Sequence, residues 1–108
     1  EIKTGLCNVF IQHTSASLII CENADPNVLT DLEAYAERLV KDGDPHFRHT
    51  QEGADDMAAH IRSVLTTTSL NIPIGNGHCL LGTWQGVFLW EHRYHGHNRG
   101  IVLTLNGE

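Results

Sequence analysis

Short segments rich in β-prone residues lie at both ends of this 108-residue chain, and two helical patterns lie between them. In the first segment, residues 6–12, strict alternation places Cys7, Val9 and Ile11 on one face. The other predicted strands are 17–22, 67–74, 79–81, 85–92 and 100–105. This order predicts a single α+β domain over residues 1–108 with mainly antiparallel pairing.

The clearest helix start is Asp25 followed by Pro26, which fit the N-cap and the first helical position. An apolar stripe at helical spacing continues from there to Val40. The segment before this helix, 17–22, is apolar almost throughout. We therefore expect that segment to be buried on both faces.

The second helix lies in the stretch 46–63, where a loop rich in histidines and carboxylates leads into a short helical pattern. Asp55 or Asp56 can cap this helix by accepting backbone N–H groups. Helical spacing places His60 on one face with Met57, Ile61 and Val64. His60 is therefore predicted to point inwards.

Histidine nitrogen and carboxylate oxygen are ligands that zinc and related divalent metals accept. His49 and His60, with His13 or His92 as a third ligand, are therefore candidates for a metal site. Zinc is the first choice, and magnesium and manganese are alternatives. The competing interpretations are an exposed His49 and a core His60 that is hydrogen-bonded to Asp56, one helical turn away.

The carboxylates Glu52, Asp55 and Asp56 are candidates for acid–base chemistry. Clustered carboxylates repel one another, so the pKa of one of them can be raised into a useful range. Capping of the helix is the competing explanation for the two aspartates.

Two further features favour ligand binding. The hydroxyl-rich run 14–17, with Arg93, could bind phosphate oxygens, although a β-turn is the commoner explanation of such a run. Trp84 and Trp90 could line a pocket for a flat ring, although aromatic residues in a small domain usually belong to its core.

The charge and cysteine content exclude several classes of function. Seven Lys and Arg residues against thirteen Asp and Glu give a formal net charge of −6, which disfavours nucleic acid and anionic membranes as partners. The three cysteines form no CxxC pair, and no secretory signal or membrane-spanning apolar run is present in the sequence. These features favour a reduced, soluble, cytoplasmic protein.

Nearly the whole chain is covered by a series of motifs: HTSASL at 13–18, ENADP at 22–26, HTQEGADDMAAHI at 49–61, IPI at 72–74, GTWQGVFLWEHR at 82–93 and the closing LTLNGE. In this order and spacing they closely resemble the YjbQ family, small bacterial and archaeal proteins also described as secondary thiamine-phosphate synthases. The resemblance implies a compact β-sandwich-like, jelly-roll-like α+β domain with two or three short helices, which assembles as a homotrimer. Family members begin further upstream, so we expect this chain to lack an N-terminal segment of the full-length protein.

The resemblance also implies a weak thiamine-phosphate synthase activity. This reaction joins hydroxymethylpyrimidine pyrophosphate to thiazole phosphate and releases pyrophosphate, in a histidine-rich pocket that can take up a metal. The implied pocket residues are His13, Ser15, Ser17, Glu22, Asn23, His49, Glu52, Asp55, Asp56, His60, Trp84, Gln85, His92 and Arg93.

The chemistry of these side chains suggests a role for each. The predicted metal ligands are His13, His49 and His60. The predicted catalytic groups are Glu52, Asp55, Asp56 and His92. The residues predicted to bind a small phosphorylated substrate are Ser15, Ser17, Asn23, Trp84, Gln85 and Arg93. The alternatives are a non-catalytic trimer that binds a metal or a phosphorylated metabolite, and a metal-dependent hydrolase of another small molecule.

Overall fold

The computed structural model describes residues 2–108 and has two helices and six strands in that range. In chain order the elements are β1 (Gly5–Ile11), β2 (Ala16–Glu22), α1 (Pro26–Leu39), α2 (Asp56–Leu65), β3 (Ser69–Gly75), β4 (His78–Cys79), β5 (Gln85–Glu91) and β6 (Ile101–Gly107). Every predicted strand overlaps one of these strands, although β4 has only two residues. Neither helix within residues 2–108 has the length and apolar character needed to cross a membrane.

The strands form two antiparallel sheets. The larger sheet has the strand order β4-β3-β1-β6, and β2 pairs with β5 in a two-stranded sheet. A bridge between Leu18 and Thr67 and a 3.0 Å hydrogen bond from the Ile11 N–H to the Thr68 carbonyl join the two sheets. The predicted single α+β domain with mainly antiparallel pairing is confirmed.

The hydrophobic core lies between the two sheets. Its buried residues are Cys7, Val9, Ile11, Ala16, Leu18, Ile72 and Ile74. The alternation predicted for β1 is confirmed, because Leu6 and Phe10 on its opposite face are exposed. The burial expected for 17–22 is only partly right: Ser17 and Leu18 are buried, but residues 19–22 are half-buried or exposed.

Helix α1 begins as predicted but packs loosely. The Asp25 side chain accepts the Asn27 N–H at 2.9 Å, and Pro26 is the first helical residue. None of the residues of α1 is buried, because cavities separate its apolar stripe from the two-stranded sheet. Trp90 of β5 links the helix to this sheet by donating its Nε1–H to Glu33 Oε2 at 2.6 Å.

The buried face predicted for α2 is wrong. Val64 of the predicted stripe is 83% exposed. The small alanines allow α2 to lie close to β2, and its charged side chains can be buried because each has a partner. Arg62, for example, donates to the Val40 carbonyl at 2.6 Å. The buried residues of α2 are Asp56, Ala58, Ala59 and Arg62.

Candidate functional site

The carboxylate of Asp56, in the first turn of α2, is the centre of the candidate site. Its Oδ2 atom lies 2.7 Å from His49 Nε2 and 3.1 Å from His60 Nε2. Its Oδ1 atom accepts a 2.7 Å hydrogen bond from Arg93 Nη1. We call these four residues the Asp56 group. The carboxylate is buried, whereas the side chain of His49 is 48% exposed.

Local geometry explains how the Asp56 group assembles. His60 lies four residues after Asp56, so the two side chains share a face of the helix. The loop before the helix turns back at Gly53, whose φ of +110° is closed to most other residues. Arg93, just after β5, fixes this loop by donating from Nη2 to the Glu52 carbonyl at 2.8 Å.

The two ring nitrogens of His60 require a positive charge at this site. Nδ1 lies 3.1 Å from the carbonyl oxygen of Thr14, which can only accept, so Nδ1 carries a proton. Nε2 faces an ionised carboxylate oxygen of Asp56, which also only accepts. A neutral imidazole has a single N–H. Either His60 is therefore a charged imidazolium, or a bound cation neutralises the contact between Nε2 and the carboxylate.

The aspartates are more acidic than usual, not less. Burial alone raises the pKa of Asp55, but hydrogen bonds from the Tyr94 N–H and Arg93 outweigh it and place the pKa below its ordinary value. Burial likewise opposes ionisation of Asp56, but His49, His60 and Arg93 lower its pKa. The expectation that clustering raises a carboxylate pKa is wrong for these two residues.

The helix-capping interpretation is also wrong in its mechanism. Asp55 does occupy the N-cap position of α2, but its side chain makes no capping hydrogen bond. Its Oδ2 instead accepts from Arg93 Nε at 3.1 Å and from the Tyr94 N–H at 3.0 Å. The Asp55 carboxylate therefore binds the guanidinium of Arg93, after β5, and does not cap its own helix.

The structure brings together His49 and His60 but adds Asp56, not His13, as the third possible ligand. One nitrogen or oxygen atom from each of His49, Asp56 and His60 lies within 4.8 Å of the others. His13 Nε2 instead accepts a 2.6 Å hydrogen bond from the Gly100 N–H. The sequence signal for Asp56 was its i, i+4 spacing to His60, which supported only the competing interpretation.

His92 and Ser17 lie in a second, buried group. His92 Nε2 is 2.8 Å from Ser17 Oγ, which is 2.7 Å from Thr66 Oγ1. Thr66 Oγ1 is also 2.8 Å from the Arg62 carbonyl, which can only accept. Each hydroxyl has one proton, so all three contacts are hydrogen bonds only if His92 donates from Nε2. We call this the His92 relay.

Burial keeps the histidine of the His92 relay neutral. Burial lowers the pKa of His92 to about 4, and the positive charge of Arg62 adds to this effect. Nδ1, which the relay leaves unprotonated, is buried without a hydrogen-bond partner. His92 and Ser17 are 4% and 0% exposed, so neither is open to a substrate in this conformation.

Arg99 is a functional candidate that the sequence gave no reason to single out. It donates from Nη2 to Ser15 Oγ at 3.1 Å and from Nε to Glu91 Oε1 at 2.8 Å. Burial opposes ionisation of Glu91, but hydrogen bonds from Arg99 and the Arg93 N–H lower its pKa to about 2. Arg99 therefore links Ser15, in the loop after β1, to Glu91 of β5.

Asn23, Trp84 and Gln85 lie at the other end of the two-stranded sheet. The sheet pairs Glu22 with Gln85 at that end and Ala16 with Glu91 near Arg93. Six residue steps separate these ends, or about 20 Å at the rise of a β-strand. A single chain therefore does not bring all the predicted substrate-binding residues into one pocket.

A cavity of ~340 Å³ lies beside the exposed edge of His49. It is formed by the loop before α2, with Phe47 and Thr50 among its lining residues. Asp44 also lines it, whereas no lysine or arginine does. A molecule in this cavity could contact His49 directly.

Comparisons with known proteins agree with this fold and these motifs. The family described as UPF0047 protein YjbQ-like matches residues 1–108. UPF0047 protein sll1880 of Synechocystis sp. is 61% identical over 107 residues, which are 99% of this chain and 73% of that protein. UPF0047 protein YjbQ of Escherichia coli O157:H7 is 48% identical over 108 residues, which are 100% of this chain and 78% of that protein.

A solved structure extends the agreement to three dimensions. The crystal structure of the conserved hypothetical protein TT1486 from Thermus thermophilus superposes with a TM-score of 0.87 at 36% identity. The match covers 95% of this chain and 79% of that one. The family match over the full chain and the identities to YjbQ proteins lead to one conclusion: this chain belongs to the YjbQ (UPF0047) family.

Proposed function

We propose that His49 Nε2, Asp56 Oδ2 and His60 Nε2 bind a divalent cation, with zinc the first choice and magnesium or manganese the alternatives. The carrying observation is that both nitrogens of His60 face oxygen atoms that only accept. Two imidazoles and one carboxylate suit zinc and leave a coordination position open. The carbonyl of Thr14 would fix the His60 ring, a support that metal-binding histidines usually have.

The reaction that we propose for this site is the one that the YjbQ resemblance implies, a weak thiamine-phosphate synthase activity. A bound cation would neutralise negative charge on the departing pyrophosphate. Within the chain, Arg93 helps to keep Asp55 and Asp56 ionised, and Asp56 orients the two histidines. Glu52, which is exposed on the adjoining loop, is the carboxylate that we assign to proton transfer.

We also propose that the chain works as a homotrimer on a small phosphorylated metabolite. Support for assembly comes from β6, which lies at the edge of the larger sheet with every residue exposed. Ile101, Leu103 and Leu105 are among its exposed apolar residues. Long apolar edge strands are normally covered, since they invite uncontrolled pairing. A trimer contact would also be one way to bring separated substrate-binding residues together.

A non-catalytic cation-binding protein is the second candidate. It is favoured by the contacts of Arg93, whose three guanidinium nitrogens all bond to protein oxygens. The guanidinium is thus committed within the chain, and the cavity beside His49 has no lysine or arginine in its lining. In this alternative the Asp56 group would store or sense the cation.

The experiment is a zinc titration followed by a turnover assay on the same protein samples. We expect about one equivalent of zinc in the wild type and binding about 100-fold weaker in His60→Gln. His46→Gln is the matched control, because His46 makes an exposed pair with Asp44. Absence of zinc, manganese and magnesium binding in the wild type, or unchanged binding in His60→Gln, would contradict the proposed site.

Release of pyrophosphate from the pyrimidine and thiazole substrates then separates the two functions. We expect turnover that Glu52→Gln removes while zinc binding survives, because Glu52 is not a ligand. Zinc binding without turnover would support the non-catalytic alternative, whereas cleavage of other phosphate esters alone would support a hydrolase.

A further inference from the structure

A loop without regular secondary structure supplies one of the two partners of His60. Residues 12–15 connect β1 to β2, and the Thr14 carbonyl oxygen in this loop lies 3.1 Å from His60 Nδ1. We call this segment the 12–15 loop. Thr14 is exposed, so its own packing does not fix the carbonyl. The contacts of the neighbouring residues therefore decide where the carbonyl points.

His13 holds the 12–15 loop on the N-terminal side of Thr14. Its Nε2 atom accepts a 2.6 Å hydrogen bond from the N–H of Gly100, which directly precedes β6. The Gln12 N–H donates in turn to the Gly100 carbonyl at 3.0 Å. A neutral imidazole has one acceptor nitrogen, and here the backbone uses it. The residue before Thr14 is thus tied by its side chain to the start of β6.

Arg99 holds the same loop on the C-terminal side of Thr14. Its Nη2 atom donates to Ser15, at 3.1 Å from Oγ and 3.3 Å from the carbonyl oxygen. The His92 N–H donates to the same carbonyl at 3.2 Å. Arg99 is itself held by Glu91, whose Oε1 accepts from Nε at 2.8 Å, and its side chain is 8% exposed. Hydrogen bonds from an ionised donor are stronger than neutral ones, so Ser15 has little freedom to move.

We propose that His13 and Arg99 are positioning residues for the cation site. By holding the 12–15 loop on either side of Thr14, they direct the Thr14 carbonyl to His60 Nδ1. That contact keeps a proton on Nδ1 and leaves Nε2 directed towards Asp56 Oδ2, 3.1 Å away. The inference rests on the proposed cation binding by the Asp56 group.

The two positioning residues act without contacting the cation. Among the described residues, the hydrogen bonds of His13 and Arg99 go to Gly100, Ser15 and Glu91, and none goes to a proposed cation ligand. Loss of the partner that orients a metal-binding histidine weakens metal binding by about 10–100-fold. His13 and Arg99 lie one contact further out, so we expect effects at the lower end of that range.

Zinc titration of matched variants measures these effects. His13→Leu removes the acceptor for the Gly100 N–H and should weaken zinc binding about tenfold. Arg99→Lys lacks the forked guanidinium that reaches Glu91 and Ser15 together, and we expect a loss of similar size. His13→Gln retains an acceptor and should bind zinc as the wild type does.

Two controls separate positioning from a general loss of stability. Ile72→Val removes a methyl group from the core and should lower stability without changing zinc affinity. Arg38→Lys makes the same exchange at an exposed arginine of α1 and should also leave zinc affinity unchanged. If zinc affinity in His13→Leu or Arg99→Lys falls no further than in Ile72→Val, the role of that residue is overturned.

Nitrogen NMR of the cation-free protein tests the same geometry independently. The Thr14 carbonyl protects the His60 Nδ1 proton, whose exchange with water should be at least tenfold faster in His13→Leu and Arg99→Lys than in the wild type. Exchange at the wild-type rate in both variants would overturn the proposal. If the wild type binds no cation, the proposed cation site fails, but faster exchange in the variants would still support positioning of His60 by the 12–15 loop.

Discussion

The Asp56 group and the His92 relay both hold a histidine by hydrogen bonds. The first requires a positive charge at the histidine, whereas the second is satisfied by a neutral ring. His60 faces a carbonyl and a carboxylate, which only accept, so the contact needs an added proton or a cation. His92 faces a chain of hydroxyls that ends at a carbonyl, and a neutral ring satisfies it. The partners of a histidine, more than its position along the chain, decide whether it suits cation binding.

The largest test of this comparison is Asp56→Asn, which removes the negative charge from the Asp56 group. Arg93 would lose one of its two carboxylate partners, and His60 would lose its contact with a carboxylate. Breaking a buried ion pair is costly, so we expect the free energy of unfolding to fall by about 3 kcal/mol in urea denaturation.

The control is Asp44→Asn, because Asp44 and His46 form the same kind of pair at the surface. We expect no measurable change in the free energy of unfolding, since exposed pairs are screened by solvent. Equal effects of the two substitutions would show that burial of the Asp56 group has no energetic consequence.

The second test uses pH and concerns the His92 relay. The pKa of His92 in the folded protein is about 4, below its ordinary value of 6.5. Between these values the unfolded chain binds a proton that the folded chain does not, so stability is complete above pH 6.5 and falls on acidification. We expect a loss of about 2 kcal/mol between pH 6.5 and roughly pH 5.

His92→Gln isolates this contribution, because a glutamine amide can still donate to Ser17 but does not titrate. The variant should lose less stability over the same pH range than the wild type. Glu91 and the aspartates, whose pKa values are lowered, lose their contributions only as the pH falls below their ordinary values of 4.5 and 3.8. A wild-type slope that is unchanged in His92→Gln would show that His92 is not held neutral.

Features with local causes could be predicted from the sequence. The start of α1 follows from Asp25 and Pro26, which act within one turn, and the buried face of β1 follows from alternation. The buried face of α2 could not be predicted in this way. Asp56 and Arg62 are buried only because their partners come from other parts of the chain, and the helical pattern alone favoured the apolar residues.

The candidate site follows the same division. The convergence of His49 and His60 could be predicted because both flank one loop and helix. The contacts of Ser17 to Thr66 and of Ser15 to Arg99 span 49 and 84 residues, and no local pattern signals them. The geometry of His13 likewise depends on Gly100, 87 residues away. Long-range partners thus decided which polar residues met.

The smallest test concerns the middle of the His92 relay. Thr66→Val preserves the shape of the side chain but removes the hydroxyl that receives the Ser17 proton, so Ser17 loses an acceptor in a buried environment. We expect the free energy of unfolding to fall by about 1 kcal/mol, the usual contribution of one such hydrogen bond. Thr66→Ser keeps the hydroxyl and should preserve the relay.

The polarity of the relay is tested by a separate measurement. Nitrogen NMR of the wild type should find the His92 proton on Nε2 and none on Nδ1. A proton on Nδ1 would reverse the relay, with Thr66 donating to Ser17, and would contradict the polarity assigned here.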